Sequence, residues 1–140
     1  MLKEAYINQL ILEEGLRLKP YRCSAGKLTI GVGRNLDDNG ISKQEALFLL
    51  QNDIAVAEKS CRQAFDFFDE LDEQRQFVLI DMCFNMGINR LKGFKKMIQA
   101  IKKKQFNIAS EEMLSSCWAR QVKTRAEKLA LLMKGEEQPT

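Results

Sequence analysis

The sequence predicts an α+β fold, mostly helical, in which a small hairpin- or sheet-forming part precedes a larger helical part. Three observations lead there. The helical period is interrupted between Leu16 and Gly33 by turn residues and an alternating strand. Apolar residues recur with helical spacing from Asp69 almost to the C-terminus. The chain has 140 residues, enough for about one domain with its own core. Residues 1–140 are therefore expected to form a single domain. It would comprise a β-containing lobe over about 14–42, a connecting helix over about 43–58, and a helical lobe over about 59–135 that also takes in the N-terminal helix.

The first element is an amphipathic helix over residues 3–14. Ile7, Leu10, Ile11 and Glu14 fall at i, i+3, i+4 and i+7, which sets an acid on the apolar stripe. Gly15 is the expected C-cap, and Glu13 points about 100° away, toward solvent. Pro20 favours an extended Lys19, Ser24-Ala25-Gly26 turns the chain, and Lys27 to Gly33 alternates. Leu28, Ile30 and Val32 form the expected core face of this strand. Lys27, Thr29, Gly31 and Gly33 form a polar face with room for something to approach the backbone. Asp37-Asp38-Asn39-Gly40 reads as a polar turn, and Ser42 with Glu45 makes a capping box for a helix reaching about Glu58. Further helices are expected over about 70–86, 91–102, 105–116 and 121–134, punctuated by Gly87, Gly93 and Gly135.

Apolar content of 45% with 29% charged residues is ordinary for a soluble globular protein. A net charge of +3 is explained by a solvated surface and is compatible with a weakly attracted anionic partner. The Lys102-Lys103-Lys104 run has no interleaved aromatics, so nucleic acid is not expected as a partner. Cys23, Cys61, Cys83 and Cys117 form no C-x-x-C pair, which argues against a zinc site. No metal or cofactor is expected, and the thiols are expected to be reduced in a cytosolic setting. Met1 to Leu12 carries Lys3, Glu4, Asn8 and Gln9, so neither a signal peptide nor a membrane span is expected.

Glu14 is the leading candidate for chemistry. A carboxyl on an apolar face, at the negative end of a helix, has its anion disfavoured twice, and a retained proton is what a general acid needs. The bland alternative is a helix-end carboxylate paired with a base. Arg125 shares a face with Val122, Ala126 and Leu129. It reads either as a packing arginine or as a partner that positions Glu14. Cys23 lies in a polar turn between Arg22 and Ser24, where a cation favours the thiolate and a thiolate can hold or activate water. Its alternative is a small buried hydrophobe. Thr29 either hydrogen-bonds a water or substrate or simply suits a strand. Phe84-Asn85-Met86-Gly87 either lines a sugar site or ends a helix against the core, where Trp118 is also expected.

Glu14-Gly15, Tyr21, Cys23, Gly26 and Thr29-Ile30-Gly31-Val32-Gly33 together resemble the signature of the phage lysozymes of glycoside hydrolase family 24. In that family a glutamate is followed nine residues later by Asp or Cys, and six residues after that by Thr; Glu14, Cys23 and Thr29 match without a gap. The resemblance continues through Phe84-Asn85-Met86-Gly87 with Gly93-Phe94, and through Trp118 and Arg125. It implies a lysozyme-like two-lobed fold that hydrolyses the β-1,4 bond between N-acetylmuramic acid and N-acetylglucosamine in peptidoglycan. It also assigns catalytic roles. Glu14 protonates the leaving oxygen, while Cys23 and Thr29 hold the attacking water on the opposite face of the sugar. Arg125, Phe84, Asn85 and Gly31 become supporting or substrate-binding residues. Such an arrangement implies inversion, although a thiol in place of the second carboxylate leaves a covalent route open. Two departures stand out: residues 34–60 are shorter than in the T-even phage enzyme, and the histidine after its glycines is Arg34 here.

The biology implied is that of a monomeric endolysin that meets peptidoglycan glycan strands and lyses the host. It would wait in the host bacterial cytoplasm until a separate holin-type protein releases it to the wall. Other readings are the same domain built into a larger phage particle, a lytic transglycosylase, and a catalytically idle peptidoglycan-binding module.

Overall fold

The computed structural model describes residues 1–136. They fall into two compact units, Met1–Leu49 and Leu50 onward.

The first unit opens with α1, Glu4–Glu14, which closes at Gly15 (φ 78°) through the glycine N–H to the Ile11 carbonyl at 2.7 Å. Its expected buried stripe is not buried: no residue of α1 is, Ile7 and Leu10 are about half exposed, and Glu14 is exposed. A three-stranded antiparallel sheet follows in the order β1 (Arg17–Arg22), β2 (Leu28–Gly31), β3 (Arg34–Asn35). Pro20 is accommodated because β1 is an edge strand, and the register is irregular between Arg17 and Tyr21, around the missing proline N–H. The expected strand is shortened to β2 because Gly31 and Gly33 both take positive φ and turn the chain.

The alternation of that strand also has the opposite sense to the one expected. Thr29 is the buried residue (3% exposed), whereas Leu28 and Ile30 are half-buried and Val32 is exposed. Thr29 sits at the middle of the sheet, with Tyr21 beside it on β1 and Asn35 on β3, so it is covered from both sides. The expected polar turn at Asp37–Gly40 is a helical turn, α2 (Leu36–Asn39), started by Asn35, whose side chain accepts the Asp38 N–H at 3.0 Å. Asp37 is drawn away to accept the Leu28 N–H at 2.7 Å.

The capping box forms as expected. Ser42 Oγ accepts the Glu45 N–H at 3.1 Å, and Glu45 Oε1 accepts the Ser42 N–H at 2.9 Å. It starts α3, which runs from Lys43 past Glu58 to Ala64 because Ala57 and Cys61 join the core of the second unit.

That second unit continues through a 3₁₀ turn (Phe68–Glu70), α4 (Glu73–Met86), α5 (Ile88–Lys92), α6 (Lys95–Lys102), α7 (Phe106–Leu114), α8 (Cys117–Val122) and α9 (Thr124–Lys134). Two of the expected helices are each broken in two. Gly93 and Phe94 separate α5 from α6, and Lys123, at φ 48°, separates α8 from α9. Every buried apolar residue of the described chain belongs to this unit, with Phe68, Leu79, Met82, Met113 and Met133 at its centre. Among the described residues, no helix is long and apolar enough to cross a membrane.

Candidate active site

Cys23, Lys27 and Thr29 form one hydrogen-bonded turn between β1 and β2. The Lys27 carbonyl accepts both the Cys23 N–H (2.9 Å) and the Thr29 hydroxyl (2.8 Å), and the Cys23 carbonyl accepts the Gly26 N–H at 2.8 Å. The half-buried Cys23 thiol is held below the ordinary thiol value. The Lys27 backbone N–H does most, followed by that of Ala25; modest burial opposes them, and the Thr29 hydroxyl adds to the lowering. The Thr29 hydroxyl has one proton to give, to the Lys27 carbonyl or to the thiolate, and in either rotamer its lone pairs remain for water. Arg22, the cation expected to favour the thiolate, instead donates to the Gly26 carbonyl at 3.1 Å and lies 3.7 Å from Asp37. Backbone N–H groups do the work assigned to it.

Glu14 is placed by the end of α1 against the turn that follows β2. A Cβ built on Gly33 would stand 2.7 Å from Glu14 Oε2 and 3.3 Å from its Cδ. Gly33 also has φ 69°, so both its conformation and its contact with the acid demand glycine. Gly31, by contrast, has open space at its Cβ position and is required only by its φ of 70°. It lies on the wall of an apolar cavity of about 710 Å³ formed with Ile30, Val32, Ile41, Phe48 and Leu49. Arg34 and Glu45 also line that cavity, joined by two hydrogen bonds of 2.8 and 2.7 Å.

The remaining expected residues belong to the second unit. Phe84 is about half exposed and lines a cavity of about 380 Å³ with Asp53, Val56, Ser60 and Ile88. Asn85 accepts the indole N–H of the buried Trp118 at 2.8 Å and so orients the ring, which Phe94 meets edge-on. Arg125 is half-buried and donates through Nε and Nη2 to one oxygen of Asp81, at 2.8 and 2.5 Å.

The profile of the phage lysozyme family matches residues 12–134. The chain belongs to that family. Curated relatives agree. The chain is 27% identical to "Probable T4-type lysozyme 1" of Dictyostelium discoideum, over 87% of this chain and 89% of that protein. It is 26% identical to "Probable T4-type lysozyme 2" of the same organism over the same shares. It is also 27% identical to the "Pre-baseplate central spike protein Gp5" of Enterobacteria phage T4, over 86% of this chain but only 26% of the spike protein.

As a phage lysozyme, the chain is a glycoside hydrolase of the muramidase type, with peptidoglycan as its substrate class. Three charged residues that tie candidate residues in place within their own units escaped the sequence reading as such. Asp37 ties α2 to the start of β2, Glu45 holds Arg34 in addition to capping α3, and Asp81 holds Arg125. The capping-box signal found Glu45 but gave no hint of its arginine. Asp37 and Asp81 carried no signal, because their partners are set by the folded chain and not by local spacing.

Proposed function

We propose that this phage lysozyme is an endolysin-type muramidase that cuts the β-1,4 bond between N-acetylmuramic acid and N-acetylglucosamine. Glu14 is its general acid, and Cys23 with Thr29 holds and activates the water. The observation that carries this reading is the turn around Lys27, whose carbonyl accepts both the Cys23 N–H and the hydroxyl of the buried Thr29 and so gathers thiol and threonine in one turn, where the thiol is held below its ordinary value. A thiolate there accepts a proton from water as the water attacks the anomeric carbon. Glu14 gives its proton to the departing oxygen, as a carboxyl with one face against a glycine backbone and the other toward solvent is able to do. Separate acid and water-holding groups lead to inversion at the anomeric carbon.

The deciding experiment is mass spectrometry of borohydride-reduced muropeptides released from purified peptidoglycan. The expected products carry reducible N-acetylmuramic acid ends, and Glu14→Gln lowers their rate of release by about 10²–10⁴, the usual worth of a general acid. Anhydro ends would replace this reading with a lytic transglycosylase, and binding without release would make the chain an idle wall-binding module.

The same reading places the protein in the host cytoplasm as a monomer until a holin-type protein opens the membrane, after which host lysis follows. Similarity to a phage spike protein favours one other setting for the same chemistry, a part of a larger particle. Expression with and without a membrane-permeabilising protein separates the two. The endolysin lyses cells only in its presence.

A further inference from the structure

Gly33 abuts the Glu14 carboxyl, yet little in the sheet itself fixes where Gly33 stands. It lies in the turn between β2 and β3, and β3 is only two residues long, Arg34–Asn35, paired through Ile30↔Arg34 and Thr29↔Asn35. A strand that short provides little register on its own.

The anchoring comes from the side chain of the next residue. Arg34 donates Nη1 to Glu45 Oε1 at 2.8 Å, Nη2 to Glu45 Oε2 at 2.7 Å, and Nη1 again to the Gly40 carbonyl at 3.2 Å. Glu45 is not a mobile partner. It sits in the first turn of α3, and its Oε1 also accepts the Ser42 N–H while Ser42 Oγ accepts its own N–H. A two-bond guanidinium–carboxylate fork fixes orientation as well as distance, which a lysine ammonium does not. The fork is ionised throughout the working range, because Arg34 first, then the Ser42 N–H, holds the Glu45 carboxyl down at about 2.

We infer that Arg34 and Glu45 are positioning residues for the general acid: their fork pins the Gly31–Gly33 turn to the start of α3 and thereby sets Gly33 against the Glu14 carboxyl. This rests on Glu14 being the acid, as proposed above. The pair is 40% and 43% exposed, so its worth to stability is small, as for other solvent-exposed ion pairs. Its effect is expected in turnover rather than in folding.

The test uses the full chain with Arg34→Lys, which keeps the charge but loses the fork, and Glu45→Gln, which keeps a capping-box residue and one acceptor. Gly33→Ala serves as the direct disturbance of the contact, and Arg62→Gln as loss of an exposed arginine ion pair elsewhere. Each is measured for kcat and KM on peptidoglycan, for thermal midpoint, and for amide hydrogen exchange at residues 31–35. Arg34→Lys and Glu45→Gln are expected to lower kcat about tenfold with KM within twofold and the thermal midpoint nearly unchanged. Exchange at Gly33 and Arg34 should quicken, and the double variant should lose little more than either single one. Arg62→Gln should match the parent in kcat. Unchanged kcat in both forked variants, loss of kcat only in step with the folded fraction, or unaltered exchange at 31–35 would each overturn the inference. The exchange measurement reads the pinning whether or not Glu14 proves to be the acid. A parent chain that releases no muropeptides would therefore sink the proposed function without being confused with failure of the tie.

Discussion

Among the four cysteines, the local surroundings separate one thiol from two others by opposite effects. Backbone N–H groups of Lys27 and Ala25 lower Cys23, while burial raises Cys83 and pushes Cys61 up to about 12. The sign follows directly. A lowered thiol carries more thiolate at neutral pH, and that thiolate is lost as pH falls through its depressed value. In a Cys117→Ser background, iodoacetamide is expected to modify Cys23 first, with a rate that reaches half its maximum below the ordinary thiol range. Cys61 and Cys83 should react only on unfolding. Equal labelling of the three by peptide mass spectrometry would show that the turn does not activate the thiol. Mild oxidation that consumes the Cys23 thiol is likewise expected to stop muropeptide release, and unchanged release after confirmed thiol loss would exclude Cys23 from the reaction. This part of the candidate site was open to proposal from the sequence because Glu14, Cys23 and Thr29 lie within one short stretch whose spacing the chain alone sets. The source of the thiol's activation was not. A neighbouring cation is visible in a sequence, whereas the direction of two backbone N–H groups appears only once the turn has folded.

Elements with a local stop or start signal kept their predicted ends. Gly15 ends α1, and Ser42 with Glu45 starts α3, because a cap is a property of adjacent residues. Elements whose form depends on distant cover did not. The α1 stripe looked like a core face, yet α1 buries nothing, and the β2 alternation placed Thr29 on the open side, whereas its central position in the sheet covers it. The helix that carries Arg125 breaks at Lys123, which lies at φ 48° although no glycine or proline marks the spot. The capping box is therefore the element-scale feature with the most secure consequence. Ser42→Ala removes the acceptor for the Glu45 N–H and is expected to cost about 1 kcal/mol, within the 0.5–2 kcal/mol usual for a lost N-cap, read as a lower urea midpoint with an unchanged slope. Ser42→Asp, which restores an acceptor, should recover most of it. An alanine variant as stable as the parent would mean that the start of α3 is held without the Ser42 hydroxyl, by the backbone N–H of residue 42 on the Glu45 carboxylate.

At the scale of the whole chain, apolar burial and the residues proposed for chemistry are unequally shared. All buried apolar side chains lie from Ala57 onward, while Glu14, Cys23, Thr29 and Gly33 all lie in Met1–Leu49, where Thr29 is the one buried residue described. Apolar burial is the main source of stability, and a region with few buried apolar contacts opens at a lower free energy than one built around a core. In place of buried apolar side chains the first unit has solvent-exposed polar ties of small worth to stability: the fork between Arg34 and Glu45, the Lys27–Asp38 pair at 3.1 Å, and Asp37 on the Leu28 N–H. Native-state hydrogen exchange is therefore expected to show amides of β2 and β3 exchanging through openings of lower free energy than those of α4, α7 and α9, where Leu79, Met113 and Met133 are fully buried. One feature sharpens the test. The chain has a single tryptophan, Trp118, buried in the second unit, so its fluorescence follows loss of that core alone. Exchange in β2 and β3 should then quicken at urea concentrations that leave Trp118 fluorescence native, and muropeptide release should fall with the exchange rather than with the fluorescence. Equal opening free energies in β2 and α7, with activity lost only as the tryptophan signal changes, would mean that the residues proposed for catalysis share the stability of the helical core.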